Sequence, residues 1–283
     1  MSDICQVLSH FLKTIKIRSS VRDAMLKNKR HEEILEILKH EGFISVKELG
    51  ERLFASQPTI RRDLDFLEKE GLVRRNHGGV ILAGDSVNAP ISYRRGKHFK
   101  EKNRIARLAA TLIENDQLIF IDGSTTALCL SEHIGKAEGV SVVTNGIPIC
   151  QALAKQNIRV FSTGGKLVGD SLAFAGRVAE RAVAGFNADL MFFSSSSLDD
   201  CGVISDYAEE ETALRLAMKE RSRKTVCLFD SAKFGMRSPF CLFELRQVEY
   251  VVTDEPLSDL ILEKQQLKLL KEDGGAFMYC RDV

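Results

Sequence analysis

Ser56-Gln57-Pro58-Thr59-Ile60-Arg61-Arg62-Asp63-Leu64-Asp65-Phe66-Leu67 reads as a helix with two unlike sides. Ser56 is a good cap, and Pro58 falls in the first turn, where a missing N–H costs nothing. Ile60, Leu64 and Leu67 recur at i, i+4 and i+7 as one apolar stripe, and Gly71 ends the segment. Gln57, Thr59, Arg61, Arg62 and Asp65 are left toward solvent. A helix front of this composition suits the major groove of DNA. Arginine pairs bidentately with guanine and glutamine with adenine, while Thr59 and the helix N-terminus can hold phosphate.

The neighbouring segments build the setting. On the N-terminal side, Ile34, Leu35 and Leu38 make the stripe of a first helix that Gly42 ends. Ser45, with Glu48 three residues on, predicts a capping box for a second helix that packs through Leu49 and Leu53 and ends near Phe54-Ala55. On the C-terminal side, two β-capable runs, Leu72–Arg75 and Val80–Leu82, flank Asn76-His77-Gly78-Gly79 and predict a hairpin, hence a wing. Arg61-Arg62 alone would fit a solvated face of an ordinary three-helix domain. The capped second helix, the short turn and the basic Gly-Gly wing together favour DNA. The expected contacts are Ser45, Ser56, Gln57, Thr59, Arg61, Arg62, Arg74, Arg75, His77, Gly78 and Gly79.

Lys29–Leu82 resembles the DeoR family of helix-turn-helix regulators, through Thr59-Ile60-Arg61-Arg62-Asp63-Leu64 and the wing His77-Gly78-Gly79. The resemblance implies a helix-turn-helix over about Ser45–Asp63. Gln57-Pro58 inverts the more usual Pro-Gln order, which keeps the cap and bears on which base is read.

The bulk composition excludes several classes. With 283 residues, 44% hydrophobic and 28% charged, the chain fits a small domain plus a larger one. Its net charge of +1 means that any DNA contact comes from a local patch. Its 7 cysteines are scattered with no CxxC pair, so neither a zinc ribbon nor a redox pair is expected; no metal and no cofactor are assigned. No apolar stretch approaches the ~20 residues of a membrane span. Lys13, Lys16 and Arg18 interrupt any signal-peptide core, so the expected location is cytoplasmic. Residues 1–26 carry Ile4, Val7, Leu8, Phe11, Leu12 and Ile15 at helical spacing. They fit either an accessory helix or an extension upstream of a natural start at Met25.

The expected organisation is an extension over 1–26, a winged helix-turn-helix over 27–83, a basic linker over 84–103, a sensor domain over 104–270 and a tail over 271–283. Linker composition rests on Pro90, Arg94, Arg95, Lys97, Lys100 and Lys102. Beyond it, short apolar runs at Leu118–Ile121, Val140–Val143, Val160-Phe161, Leu190–Phe193, Val226–Phe229 and Tyr250–Val252 alternate with helical segments such as Ile105–Ile113 and Ala208–Lys219. That alternation predicts an α/β fold whose mostly parallel strands are buried on both faces.

Loops after these strands are polar. Asp122-Gly123-Ser124-Thr125-Thr126, Thr144-Asn145-Gly146, Thr163-Gly164-Gly165-Lys166 and Asp230-Ser231-Ala232-Lys233 would converge on one crevice. Donors plus Lys166 and Lys233 there suit a phosphorylated, hydroxyl-rich molecule; unrelated surface loops are the alternative. The DeoR resemblance runs on from Lys27 to about Leu262, through Asp122–Thr126, Val143-Thr144-Asn145, Gly164-Gly165, Glu211 with Met218, and Asp230 with Lys233-Phe234-Gly235. It implies a sensor domain resembling ribose-5-phosphate isomerase that responds to sugar phosphates, with Asp122–Thr126, Thr144, Asn145, Gly164–Lys166, Ser195–Ser197, Glu211, Asp230 and Lys233 as effector contacts. Two departures are Ser194–Ser197, where the family has Gly-x-x-Gly, and Arg215, where lysine is common.

A sugar-phosphate isomerase with an accessory DNA module is the rival from another class, with Asp122, Glu211, Asp230 and Lys233 as candidate acid–base groups. The isomerases' Asp-Gly-Ala-Asp-Glu loop is not in the sequence, and no catalytic residue is assigned. A ligand-free DNA-binding structural protein is disfavoured by the size of the second domain. The expectation is a homo-oligomer, dimer or tetramer, that binds double-stranded operator DNA. It would repress a carbohydrate catabolism operon until a small phosphorylated sugar releases it.

Overall fold

The computed structural model describes residues 29–38, 43–76, 79–82, 91–169 and 171–281. The expectations for residues 1–26, for Gly42 as a helix stop, and for His77 and Gly78 lie outside these. The chain divides into two compact units, one within Met1–Ala89 and one within Pro90–Val283.

In the first unit, helix α1 (residues 29–38) precedes strand β1 (Phe43–Ser45), helix α2 (Val46–Arg52) and helix α3 (Gln57–Lys69). Strands β2 (Val73–Asn76) and β3 (Gly79–Leu82) follow as a hairpin, and β1 joins it to give the order β1-β3-β2. Ile34, Leu38, Leu49, Ile60, Leu64, Leu67, Val73 and Val80 form a closed core. The apolar stripes predicted for the three helices therefore meet in one place. Strand β1 was not foreseen, because its three residues are too short for a period-2 pattern.

Ser45 caps α2 and Ser56 caps α3, each hydroxyl accepting a backbone N–H three residues on. The capping box is only half made, since the Glu48 carboxylate pairs with Arg52 at 2.8 Å. Phe54, in the turn between α2 and α3, holds a left-handed φ of 49°.

The second unit opens with α4 (Ile91–Gly96) and α5 (Phe99–Ala109). Much of the stretch read as linker is thus helical and belongs to this unit. Basic residues concealed an amphipathic pattern there, for Ile91 and Lys102 are buried and α5 packs against the sheet through Ile105, Ala106, Leu108 and Ala109.

Next come β4 (Leu118–Ile121), α6 (Thr125–Leu130), β5 (Ser141–Thr144), α7 (Ile147–Ala154), β6 (Arg159–Ser162), and the hairpin β7 (Lys166–Val168) and β8 (Ala173–Ala175). Helix α8 (Arg177–Val183), β9 (Ala188–Phe193), β10 (Ser197–Leu198), β11 (Val203–Asp206), α9 (Glu209–Glu220) and β12 (Ser222–Phe229) follow. The unit closes with β13 (Phe240–Glu244), β14 (Tyr250–Thr253), α10 (Asp259–Gln265), β15 (Leu267–Glu272) and β16 (Phe277–Arg281).

Eight strands form one sheet in the order β15-β16-β14-β12-β9-β4-β5-β6, parallel from β14 to β6. Alternation divides the core. Ile119, Ile121, Leu190 and Phe192 pack with α5, α6 and α7 on one face, while Phe120, Met191 and Phe193 pack with α8 and α9 on the other. Strand β6 is the exception, lying at the edge with Phe161 40% exposed. The stretch read as a tail is also part of the fold, because β16 pairs with β14 on one side and β15 on the other. From β4 the chain advances toward β6, and from β9 it advances toward β14. The strand order therefore switches direction between β4 and β9, the usual place for a ligand crevice in an open α/β sheet.

Candidate functional site

In the DNA-binding unit, Gln57, Arg61, Arg62 and Arg74 are all exposed. Thr59 is half-buried, its hydroxyl 2.9 Å from that of Ser56, so these two side chains serve the cap. Asp63, the acid of the Thr59–Leu64 motif, is buried and faces inward. Arg30 Nη2 donates to its Oδ1 at 3.2 Å, and His31 Nε2 lies 3.1 Å from the same oxygen. His31 also stacks on Phe66. Asp63 thereby ties α1 to the back of α3 and holds the exposed front in place. Arg75, read from sequence as a DNA contact, differs from Arg74. Its guanidinium meets Asp65 at 2.6 Å and the Arg61 carbonyl at 2.7 Å.

In the second unit, Asp122 ends β4 and Ser194 follows β9, on either side of the switch point. Asn145, Thr163 and Asp230 follow β5, β6 and β12 at the same end of the sheet. The four predicted loops therefore lie at the same end of the sheet, those after β4, β5 and β6 on adjacent strands and the one after β12 set apart from them by β9.

What occupies the centre is an ion cluster. Arg215 on α9 donates from Nε to Asp122 Oδ2 at 2.7 Å, from Nη1 to Asp206 Oδ2 at 3.0 Å and from Nη2 to Glu211 Oε2 at 3.3 Å. Ser124 donates its N–H and hydroxyl to Asp122 Oδ1, and Ser171 donates its hydroxyl to Glu211 Oε1 at 2.9 Å. Ser195 and Ser196 donate to the two oxygens of Asp206 at 3.1 and 3.0 Å. Burial pushes the Asp122 carboxyl up, and Arg215 and Ser124 offset this only in part. Asp206 is also pushed up by burial, but Arg215, the Tyr207 N–H and the serines outweigh this and hold it below the ordinary carboxylate range. Arg94 on α4 feels Glu211 and Asp206, while burial lowers its pKa. Every oxygen of Asp122, Asp206 and Glu211 is engaged, so none of them is a free general base.

The predicted set therefore splits. Asp122, Ser124, Ser195, Ser196 and Glu211 are brought together, yet they bond to each other. Ser197 pairs with Ser238 at 2.6 Å. Lys166 projects to Glu210 at 2.9 Å on the surface. Two of the glycines answer to packing: a Cβ on Gly123 would lie 2.7 Å from that of Ala173, and one on Gly165, at φ +115°, 2.8 Å from the Ala175 carbonyl. Thr125, Thr126 and Thr144 are buried, and Thr144 Oγ1 accepts the Gly146 N–H. Gly164 turns through a φ of +58°.

Unsatisfied groups lie elsewhere in the same row. Asp230 is 1% exposed, and among the described residues neither of its oxygens has a hydrogen-bond partner. Asn145 donates to the Phe174 carbonyl, while its Oδ1 is buried without a donor. Near Asp230, Lys102 of α5 is buried and donates to the carbonyls of Arg94 and Lys97 at 2.7 and 2.8 Å. Burial lowers its pKa to about 8, with Asp230 pulling upward and Lys233 downward. Sequence reasoning missed Asp206, Ser171, Arg94 and Lys102. Asp206 and Ser171 sit in segments without a motif, and the other two were absorbed into linker composition.

The DeoR-like helix-turn-helix domain profile matches residues 30–85, and the DeoR C-terminal sensor domain profile matches residues 97–255. The glycerol-3-phosphate regulon repressor of Escherichia coli K12 is 31% identical over 233 residues, covering 82% of this chain and 92% of that one. An HTH-type transcriptional regulator of Bacillus subtilis 168, YulB, is 34% identical over 250 residues, covering 87% and 96%. Among solved structures, ribose 5-phosphate isomerase A of Methanocaldococcus jannaschii overlaps 49% of this chain and 55% of its own, at 12% identity and a TM-score of 0.37.

Proposed function

Because this chain belongs to the DeoR family of helix-turn-helix transcriptional regulators, we propose that it represses a carbohydrate catabolism operon and is released from DNA by a phosphorylated sugar or polyol. As a homo-oligomer, at least a dimer, it places two α3 helices in successive major grooves of double-stranded operator DNA. Gln57, Arg61 and Arg62 meet base edges, and Arg74 meets phosphate.

The observation that carries the effector reading is Asp230. A buried carboxylate without donors is costly in the free protein. A ligand that brings hydroxyl groups to Asp230 and Asn145 Oδ1 would satisfy them, and Lys233 would face its anionic end. The name of the E. coli relative, a glycerol-3-phosphate regulon repressor, supports a small phosphorylated polyol. The buried Arg215 cluster shapes the floor of the crevice. Coupling of about 1–3 kcal/mol between crevice and DNA would give a roughly 5- to 150-fold response.

The test is fluorescence anisotropy on duplexes from the promoters flanking the gene, titrated with a panel of phosphorylated sugars and polyols. Tight, sequence-selective binding that one compound releases supports the whole reading. Selective binding that none of them alters removes the effector half, and no selective binding removes the operator half.

A further inference from the structure

We propose that Arg75 is a positioning residue that clamps the wing to the recognition helix, and that it does not touch DNA. The proposal rests on the DNA-binding reading of α3 and goes beyond it.

Alternation along β2 sends neighbouring arginines to opposite sides. Val73 is buried in the core, so Arg75, two residues on, shares its side and faces α3, while Arg74 points away; both are exposed, and Arg75 is set apart by what it bonds to. Arg75 meets three residues of one helix. Nη2 reaches Asp65 Oδ1 at 2.6 Å and the Arg61 carbonyl at 2.7 Å, and Nε lies 3.5 Å from Glu68 Oε2. The backbone N–H of Arg75 donates to Glu68 Oε1 at 3.0 Å. Because β2 is the edge strand of its sheet, this N–H has no further strand to pair with, and the helix supplies the acceptor.

Charge leads to the same conclusion. Asp65 and Glu68 lie on the helix that offers Arg61 and Arg62, and free carboxylates there would repel phosphate. Arg75 lies against both and offsets one of the two negative charges. Moving it onto the DNA backbone would break two charge-assisted contacts to make one. Arg75 bonds to the carbonyl of Arg61 itself, so the clamp fixes the wing against the very turn whose side chain reads bases. It sets the distance between two groove-contacting elements, which is a matter of sequence selectivity.

The experiment uses the full chain and two probes: a duplex that the wild-type protein selects from a random library, and an unrelated duplex of the same length. Asp65→Asn decides, because Asp65 is 63% exposed and its loss does not threaten the fold. A clamp predicts that Asp65→Asn lowers the selected-to-unrelated affinity ratio about tenfold, even though it removes a negative charge. Arg75→Gln lowers it similarly, and the double variant falls no further. If Arg75 is a phosphate contact, Asp65→Asn frees it, tightens both duplexes alike and leaves the ratio unchanged. Arg75→Gln then lowers the salt slope by about one. Either of those results overturns the proposal, as does a double variant whose losses multiply. A wild-type protein that selects no duplex overturns the DNA reading beneath it as well.

Discussion

Arg215 and Asp122 stand 93 residues apart in sequence and 2.7 Å apart in space, joining the middle of α9 to the end of β4 across the switch point of the sheet. The pair is almost fully buried, with side-chain exposures of 7% and 2%. A single guanidinium there bonds to three carboxylates through separate nitrogens. Lysine offers a point charge without that fork, so the arginine fits a cluster with several acids to hold.

Removing the hub should be severe. Arg215→Leu leaves the buried carboxylates without their bonded counter-charge, with Arg94 left in electrostatic range, and a loss of about 3–5 kcal/mol in urea unfolding is expected at pH 7. The sign of the pH dependence follows. Stripped of Arg215, Asp122 and Asp206 have raised folded pKa values, so the folded state holds more protons than the unfolded one and gains stability on acidification. The deficit against wild type should shrink from pH 7 to pH 5; a deficit that stays flat would refute this account.

Lys102 gives a second, opposite window. Its pKa is depressed in the fold, to about 8 from an ordinary 10.5. Between these values the unfolded chain binds the extra proton, so stability rises with pH through the window and the gain is lost as pH falls through about 8. Up to roughly 3 kcal/mol separates the ends. Denaturation of wild type and Lys102→Met at pH 7.5 and 10 should show the rise in wild type alone.

Phe54 carries strain without packing in return. It is 98% exposed, at a φ of 49°. A left-handed backbone costs an ordinary residue about 1–2 kcal/mol, and glycine gives back ~0.5–1 in unfolded-state entropy. Phe54→Gly should therefore raise stability by up to about 1 kcal/mol, seen as a higher melting temperature of the DNA-binding unit. A lower one would show that the ring makes a contact in solution.

Lys233→Ala separates the two activities. Operator affinity should stay within a factor of two of wild type while release by the effector is lost. Asp230→Asn should behave the same way. If Lys233→Ala still responds normally, the anionic end of the effector lies elsewhere in the crevice.

The readable parts of this fold were those where one element carries its own signal. Ile60, Leu64 and Leu67 announce α3 by spacing, and Ile119–Ile121 announce a strand by apolar content alone. Legibility failed where partners decide. Alternation after Val73 puts Arg74 and Arg75 on opposite sides of β2, but what Arg75 meets there is decided by Asp65 and Glu68 one helix away. Ser194–Ser197 suggested ligand donors, yet Ser195 and Ser196 serve Asp206, an acid in a strand without a motif. Lys100 and Lys102 looked like one basic run, whereas Lys102 is buried and bonds to the carbonyls of Arg94 and Lys97. Leu267–Glu272 alternates poorly because β15 is an edge strand with one covered residue, Leu267.

The position of β16 also bears on how the protein is made. Strand β15 touches the sheet only through β16, which is synthesised after it and slots between β15 and β14. Until the ribosome has passed Arg281 and released that segment, β14 is an open parallel edge and β15 has nowhere to dock. The DNA-binding unit, with its own core of nearby residues, is complete some two hundred residues earlier. A nascent chain therefore spends most of its synthesis as a finished DNA-binding head trailing an unclosed sheet. This is the interval in which pairing at the open β14 edge competes with folding, and it ends only when β16 arrives.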